Sequence, residues 1–195
     1  MHQGGSYHMR QTICLLLLSF ALTVAAAAQE TKPLEGYAGK ERREIKSLSA
    51  GEIEQLLQGQ GMGLAKAAEL NHYPGPRHVL ELAAELQLTP EQRAGIQAAF
   101  AKMRGEAVWL GNEIVESERE LDTLFAKGEI DLSKLRTLTS EIAQTQGALR
   151  LAHLAAHLEM RRLLSPAQIK KYDELRGYTP GKKTPAGHDH SRGKH

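Results

Sequence analysis

The chain has 195 residues, 41% of them hydrophobic, with 25 Lys and Arg against 23 Asp and Glu. That length suits one domain with appendages, and the near-balanced charge gives no broad electrostatic grip on nucleic acid. The single cysteine, Cys14, lies in an apolar leader. The processed chain therefore has no thiol for a disulfide, a thiolate metal site or a nucleophile.

The leader comes first in chain order. Arg10 precedes an apolar run over residues 13–22, interrupted only by Ser19, and small residues follow at 25–28. This pattern predicts a signal peptide over 1–28, cleaved near Ala28, and export to the periplasm. The run is too short to span a bilayer, so no stable membrane insertion is expected after cleavage. Residues 29–46 are polar, charged and aperiodic, which predicts a flexible lead-in. Residues 179–195 are rich in Gly, Pro, Lys and His and predict a disordered tail.

Between them, residues 47–178 read as helix throughout. Ser49 and Glu52 form a capping box at the start of an apolar-periodic segment. Gly59, Gly61 and Gly63 loosen the chain, a short helix is expected over 64–71, and Tyr73-Pro74-Gly75-Pro76 breaks it. Helical periodicity resumes over 77–86. Thr89, Pro90 and Gln92 then supply a cap, a proline at the first helical position and a reaching amide. Ile96, Phe100, Met103, Ala107, Leu110 and Ile114 follow at alternating spacings of four and three, with Leu121 and Leu124 extending the seam. Such a repeat predicts a long helix lying beside a partner helix.

Lys127-Gly128 ends that helix, and Asp131 caps the next. Leu135, Leu138, Ile142, Leu149, Ala152 and Ala156 form its first stripe, and Leu151, Leu154 and Leu158 form a second. A helix with two apolar stripes is expected to bury more than one face, which favours a dimer. Ser165, Pro166 and Gln168 repeat the earlier start signal, and Gly177 closes the last helix. The predicted fold is all-α: a long antiparallel helical hairpin with shorter helices packed on it, four to five in all.

The pair Leu88-Thr89-Pro90-Glu91-Gln92 and Leu164-Ser165-Pro166-Ala167-Gln168 resembles the LTxxQ signature of the Spy/CpxP proteins, over roughly residues 48–178. Residues 61–65 and 74–78 are also similar to a subset read as periplasmic metal sensors or refolding chaperones. The resemblance implies a bent helical protomer paired as an antiparallel homodimer, without enzymatic activity. It implies an ATP-independent, chaperone-like envelope-stress protein that holds unfolded periplasmic clients. The ZraP- and CnrX-like branch implies the alternative, a heavy-metal sensor or resistance protein acting on a membrane-bound regulator. CnrX-like sensors carry a histidine pair one turn apart on the first helix, whereas His72 and His78 here are six apart across two prolines.

His153 and His157 are the strongest chemical feature. Four residues apart on a helix, they put two imidazoles on one face, suited to one transition-metal ion. Met160 falls close to His153 on the helical wheel and could add a thioether. Glu81 or Glu85 could complete a site from a neighbouring helix. The plainer reading makes this face core or dimer interface. In the tail, His188, His190 and His195, with Asp189, form a looser chelating tract, the plainer reading being a solubilising segment. No cofactor is required; Zn, Ni, Co or Cu are the expected metals. Met62, Met103 and Met160 suit either an adaptable client surface or ordinary core. Glu113, Glu116 and Glu120 read as a solvated acidic face. Glu69-Leu-Asn-His72 is a lone Glu-x-x-His pair, where a di-iron bundle needs two. No serine elbow, phosphate loop or paired acid–base arrangement appears, so the chain does not read as an enzyme.

Overall fold

The computed structural model describes residues 36–178. The expected signal peptide and the tail that carries His188, His190 and His195 lie outside the described residues. After a 3-10 turn at Lys40–Arg42, the helices are α1 (Ala50–Leu57), α2 (Lys66–Glu69), α3 (Pro76–Glu81), α4 (Pro90–Lys127), α5 (Leu132–Leu163) and α6 (Pro166–Arg176). No strand occurs among the described residues. None of these helices is long and apolar enough to cross a membrane.

The helix starts obey the capping chemistry. Ser49, Thr89 and Ser165 each accept from the third helical amide, and Glu52, Gln92 and Gln168 reach back to the cap amide. Asp131 accepts from the Lys134 amide. Gly128 and Gly177, both left-handed, end α4 and α6. The two glutamines do more than close their own caps. Gln92 Nε2 donates to Gln168 Oε1 and Gln168 Nε2 donates to Gln92 Oε1, each at 2.9 Å. Gln92 also donates to the Leu163 carbonyl, and Gln168 to that of Leu86. The two LTxxQ-like motifs therefore meet in space and tie α4, the end of α5 and the start of α6 into one corner.

α4, with 38 residues, runs about 57 Å at the usual helical rise, and α5 returns alongside it. Two apolar clusters hold the shorter helices to this hairpin. The first joins Ile45 and Leu56 to Met103, Ala107, Leu110, Ile114 and Val115 of α4 and to Leu149, Ala152 and Ala156 of α5. The second joins Val79 and Leu86 to Ile96, Met160, Leu164 and Tyr172. α1 lies so close to α4 that a Cβ on Gly111 would fall 2.1 Å from the Leu56 carbonyl oxygen. Only glycine admits that approach.

The structure departs from the sequence expectations at two points, the lead-in and the helix count. The ordered chain reaches back into the segment read as lead-in: Ile45 is fully buried, Lys46 pairs with Asp122 and Glu44 with Arg119. One buried isoleucine and two ion pairs anchor a segment whose composition alone reads as polar. The two short helices expected over 64–71 and 77–86 are both present, which makes six helices rather than four to five. Both stop early, one before left-handed His72 and the other before the turns that end at left-handed Gln87. The second apolar stripe of α5 is not buried within the protomer, for Leu151 and Leu158 are 66% and 62% exposed. Trp109 on α4 is 61% exposed.

Candidate metal centre

α5 presents His153 and His157 one turn apart on the side that faces α2 and α3. Both are buried between Ala152 and Ala156 of the first apolar cluster and Met160 of the second. The proline break brings the chain across them. Gly75 sits so close that a Cβ there would lie 3.1 Å from His157 Cε1 and 3.1 Å from Glu69 Oε2. The same crossing puts the Tyr73 carbonyl oxygen 2.7 Å from His157 Nδ1. A carbonyl only accepts, so Nδ1 is the donor, and the neutral ring has its lone pair on Nε2. This is the usual way a protein orients a metal-binding imidazole.

His153 is 5% exposed, and its Nε2 is buried without a hydrogen-bond partner. An orphaned buried nitrogen of this kind costs on the order of 1–3 kcal/mol. Burial first, then the neighbouring His157, pushes the His153 pKa below its ordinary value. The ring is therefore neutral at neutral pH, as a ligand must be.

Glu69 closes α2 against this pair. Its Oε1 accepts from Tyr172 Oη at 2.5 Å and from Tyr178 Oη at 3.1 Å, with His78 Nδ1 at 3.5 Å and Arg176 Nε at 3.7 Å. Its Oε2 faces the other way, 3.6 Å from His157 Nδ1. Burial by itself would push the carboxyl up. Hydrogen bonds from His78, Tyr172 and Tyr178 outweigh it and hold the pKa at about 2. Glu69 is thus a fixed anion beside the imidazoles of His78 and His157.

These groups line one cleft of about 570 Å³, which also takes in His78, Met103 and, from the glycine-rich loop, left-handed Met62. Imidazole, carboxylate and thioether donors together suit a borderline or soft transition-metal ion. Among the described residues, no three His, Cys, Asp or Glu side chains stand converged as a finished cage. The donors share a cleft, and the unsatisfied His153 nitrogen is what fits them to a cation.

Several expected ligands lie elsewhere. Met160 is fully buried in the second apolar cluster, one turn below the cleft, because its neighbours are Val79, Ile96 and Tyr172. Glu81 pairs with Arg77 at the surface and Glu85 is exposed, so neither completes the site. His72, whose spacing already argued against a sensor-type pair with His78, contacts Asp173 at 2.8 Å. The contributions of Glu69, His78 and Met103 were not assigned from sequence. Glu69 and His157 are 88 positions apart, and only the fold of the proline break brings them together; the Glu-x-x-His spacing marked Glu69, but for the wrong partner.

Residues 62–171 match the family described as heavy-metal resistance. No curated protein and no solved structure matches the chain. The match takes in more than half of the sequence, from the loop beside the cleft into α6. The chain belongs to the heavy-metal resistance family, whose Spy/CpxP-like members are typically periplasmic and non-enzymatic.

Proposed function

We propose that this protein binds a divalent transition-metal ion in the cleft between α2, α3 and the hairpin, and serves periplasmic heavy-metal resistance or sensing through that site. His153 and His157 are the central donors, with Glu69 and His78 facing them and Met103 as the available thioether. One observation carries the reading: the His153 Nε2 is buried and unpartnered, one turn from a histidine whose other nitrogen is already held by a carbonyl. Packing alone gives no reason to keep two polar rings in that position, since leucine would fill the space without an orphaned atom. The metal would act as a cross-link between α5 and the α2–α3 segment, and a membrane-bound regulator would read the resulting change in packing.

Calorimetric titration of Zn, Ni, Co and Cu into the full chain carrying His188→Gln, His190→Gln and His195→Gln tests this. Saturable binding of one ion per chain is expected, lost in the His153→Ala, His157→Ala double variant. Equal affinity in that variant would refute the site.

Holding unfolded clients, which the motif resemblance puts first, is the second reading. The exposed Trp109, Leu151 and Leu158 support it, since they offer apolar area for reversible contact without a nucleotide cycle. A homodimer would compete for the same residues. Unchanged client aggregation at stoichiometric protein would count against it.

A further inference from the structure

We infer that Tyr172 and Tyr178 are positioning residues for Glu69, so that the C-terminal end of α6 and the metal cleft are one coupled unit. This rests on the reading of the cleft as a metal site. The geometry of the carboxylate carries the inference. Oε1 is taken up on the α6 side by both tyrosine hydroxyls, with Arg176 behind them. Oε2 is the oxygen turned toward His157. Held by one oxygen, the carboxylate turns the other to the N–H side of His157, the outer-shell pattern that orients a metal-binding imidazole from behind.

The tyrosines are themselves fixed. Tyr172 is fully buried in the second apolar cluster, and its hydroxyl oxygen accepts from the Gly75 amide at 3.4 Å while donating to Glu69. Arg176 lies over the Tyr178 ring and donates to its hydroxyl oxygen. One hydroxyl thus touches α6, the Gly75 crossing and the carboxylate together. Because Glu69 is 13% exposed, no water shell substitutes for these donors. Docking of the α6 end and occupancy of the cleft must then favour each other by the same factor, since both draw on one side chain. The link from α5 to Tyr178, just beyond α6, thus runs through a single carboxylate.

The test uses zinc and the full chain with His188, His190 and His195 replaced by glutamine. Tyr172→Phe and Tyr178→Phe are each expected to weaken zinc binding by about tenfold to a hundredfold. Tyr178, half-buried just beyond α6, provides the variant least able to disturb folding. Ile114→Ala, in the first cluster and away from Glu69, lowers stability and should leave zinc affinity unchanged. A second readout separates positioning from structure: zinc should perturb the near-ultraviolet tyrosine spectrum of the parent protein. At saturating zinc that perturbation should vanish in Glu69→Gln, which keeps both tyrosines.

Parent-like affinity in both tyrosine variants, or a silent tyrosine spectrum on zinc binding, would overturn the inference and leave the histidine site standing. Parent-like affinity in His153→Ala, His157→Ala would remove the site itself, and the inference with it.

Discussion

Substituting the paired glutamines tests whether the two LTxxQ-like motifs form a single structural unit. Gln92 makes four hydrogen bonds: to the Thr89 amide, to the Leu163 carbonyl and two with Gln168. Gln168 makes the mirror set, with the Ser165 amide and the Leu86 carbonyl. The site is only partly buried, so about 0.5 kcal/mol net per bond is appropriate, at the low end of the usual range. Gln92→Ala and Gln168→Ala should then each cost about 2 kcal/mol. The double variant removes six bonds rather than eight, because the two amide–amide bonds are shared, and should cost about 3 kcal/mol. Urea unfolding of the four proteins, followed by helical circular dichroism, gives the cycle directly. A coupling of about 1 kcal/mol is expected. Costs that add to within about 0.3 kcal/mol would mean that each glutamine merely caps its own helix, and the shared corner would be refuted.

Other predictions follow from the same geometry. Gly111→Ala drives a methyl into the Leu56 carbonyl, so α1 must lift off α4, at a cost of about 2 kcal/mol or more by the usual penalty for overpacking; thermal unfolding reports it, and an unchanged midpoint would contradict the close approach. Glu69 has a folded-state pKa of about 2 against an ordinary 4.5, so it contributes roughly 3 kcal/mol of stability. With the folded value below the unfolded one, that contribution is complete above about pH 4.5 and is lost as the pH falls toward 2. Glu69→Gln should flatten this part of the stability–pH curve. Gly75→Ala would push a methyl against both His157 and Glu69 and should weaken zinc binding by about tenfold or more, by analogy with other disturbances of ligand orientation. Trp109→Ser, at an exposed position, should leave the unfolding free energy within about 0.5 kcal/mol while reducing any dimer seen by sedimentation.

The helices were legible in the sequence because their signals are local. Ser49, Thr89, Asp131 and Ser165 cap as read, and the α4 seam from Ile96 to Ile114 lies in the core as its spacing requires. Ile45 was misread because a single apolar residue among charges carries no periodicity. The second α5 stripe was legible as an apolar face, but apolarity shows only that a face can be covered, not what covers it. Half of the site was legible: the i,i+4 spacing pairs His153 with His157 whatever the tertiary fold. Glu69 and His78 were not, because their place depends on where the Tyr73–Pro76 break carries the chain. Met160 looked like a ligand on a helical wheel, but the wheel cannot tell a cleft from the apolar layer one turn below it.

Along α5 the first apolar cluster ends at Ala156 and the second begins at Met160, with His157 between them. The protein thus forgoes a continuous core at the level where the two clusters would fuse. Filling that level with leucines at 153 and 157 should yield a more stable bundle, blind to metal. On the proposed metal reading, two imidazoles at that level exchange core stability for a binding site, the usual trade between stability and function.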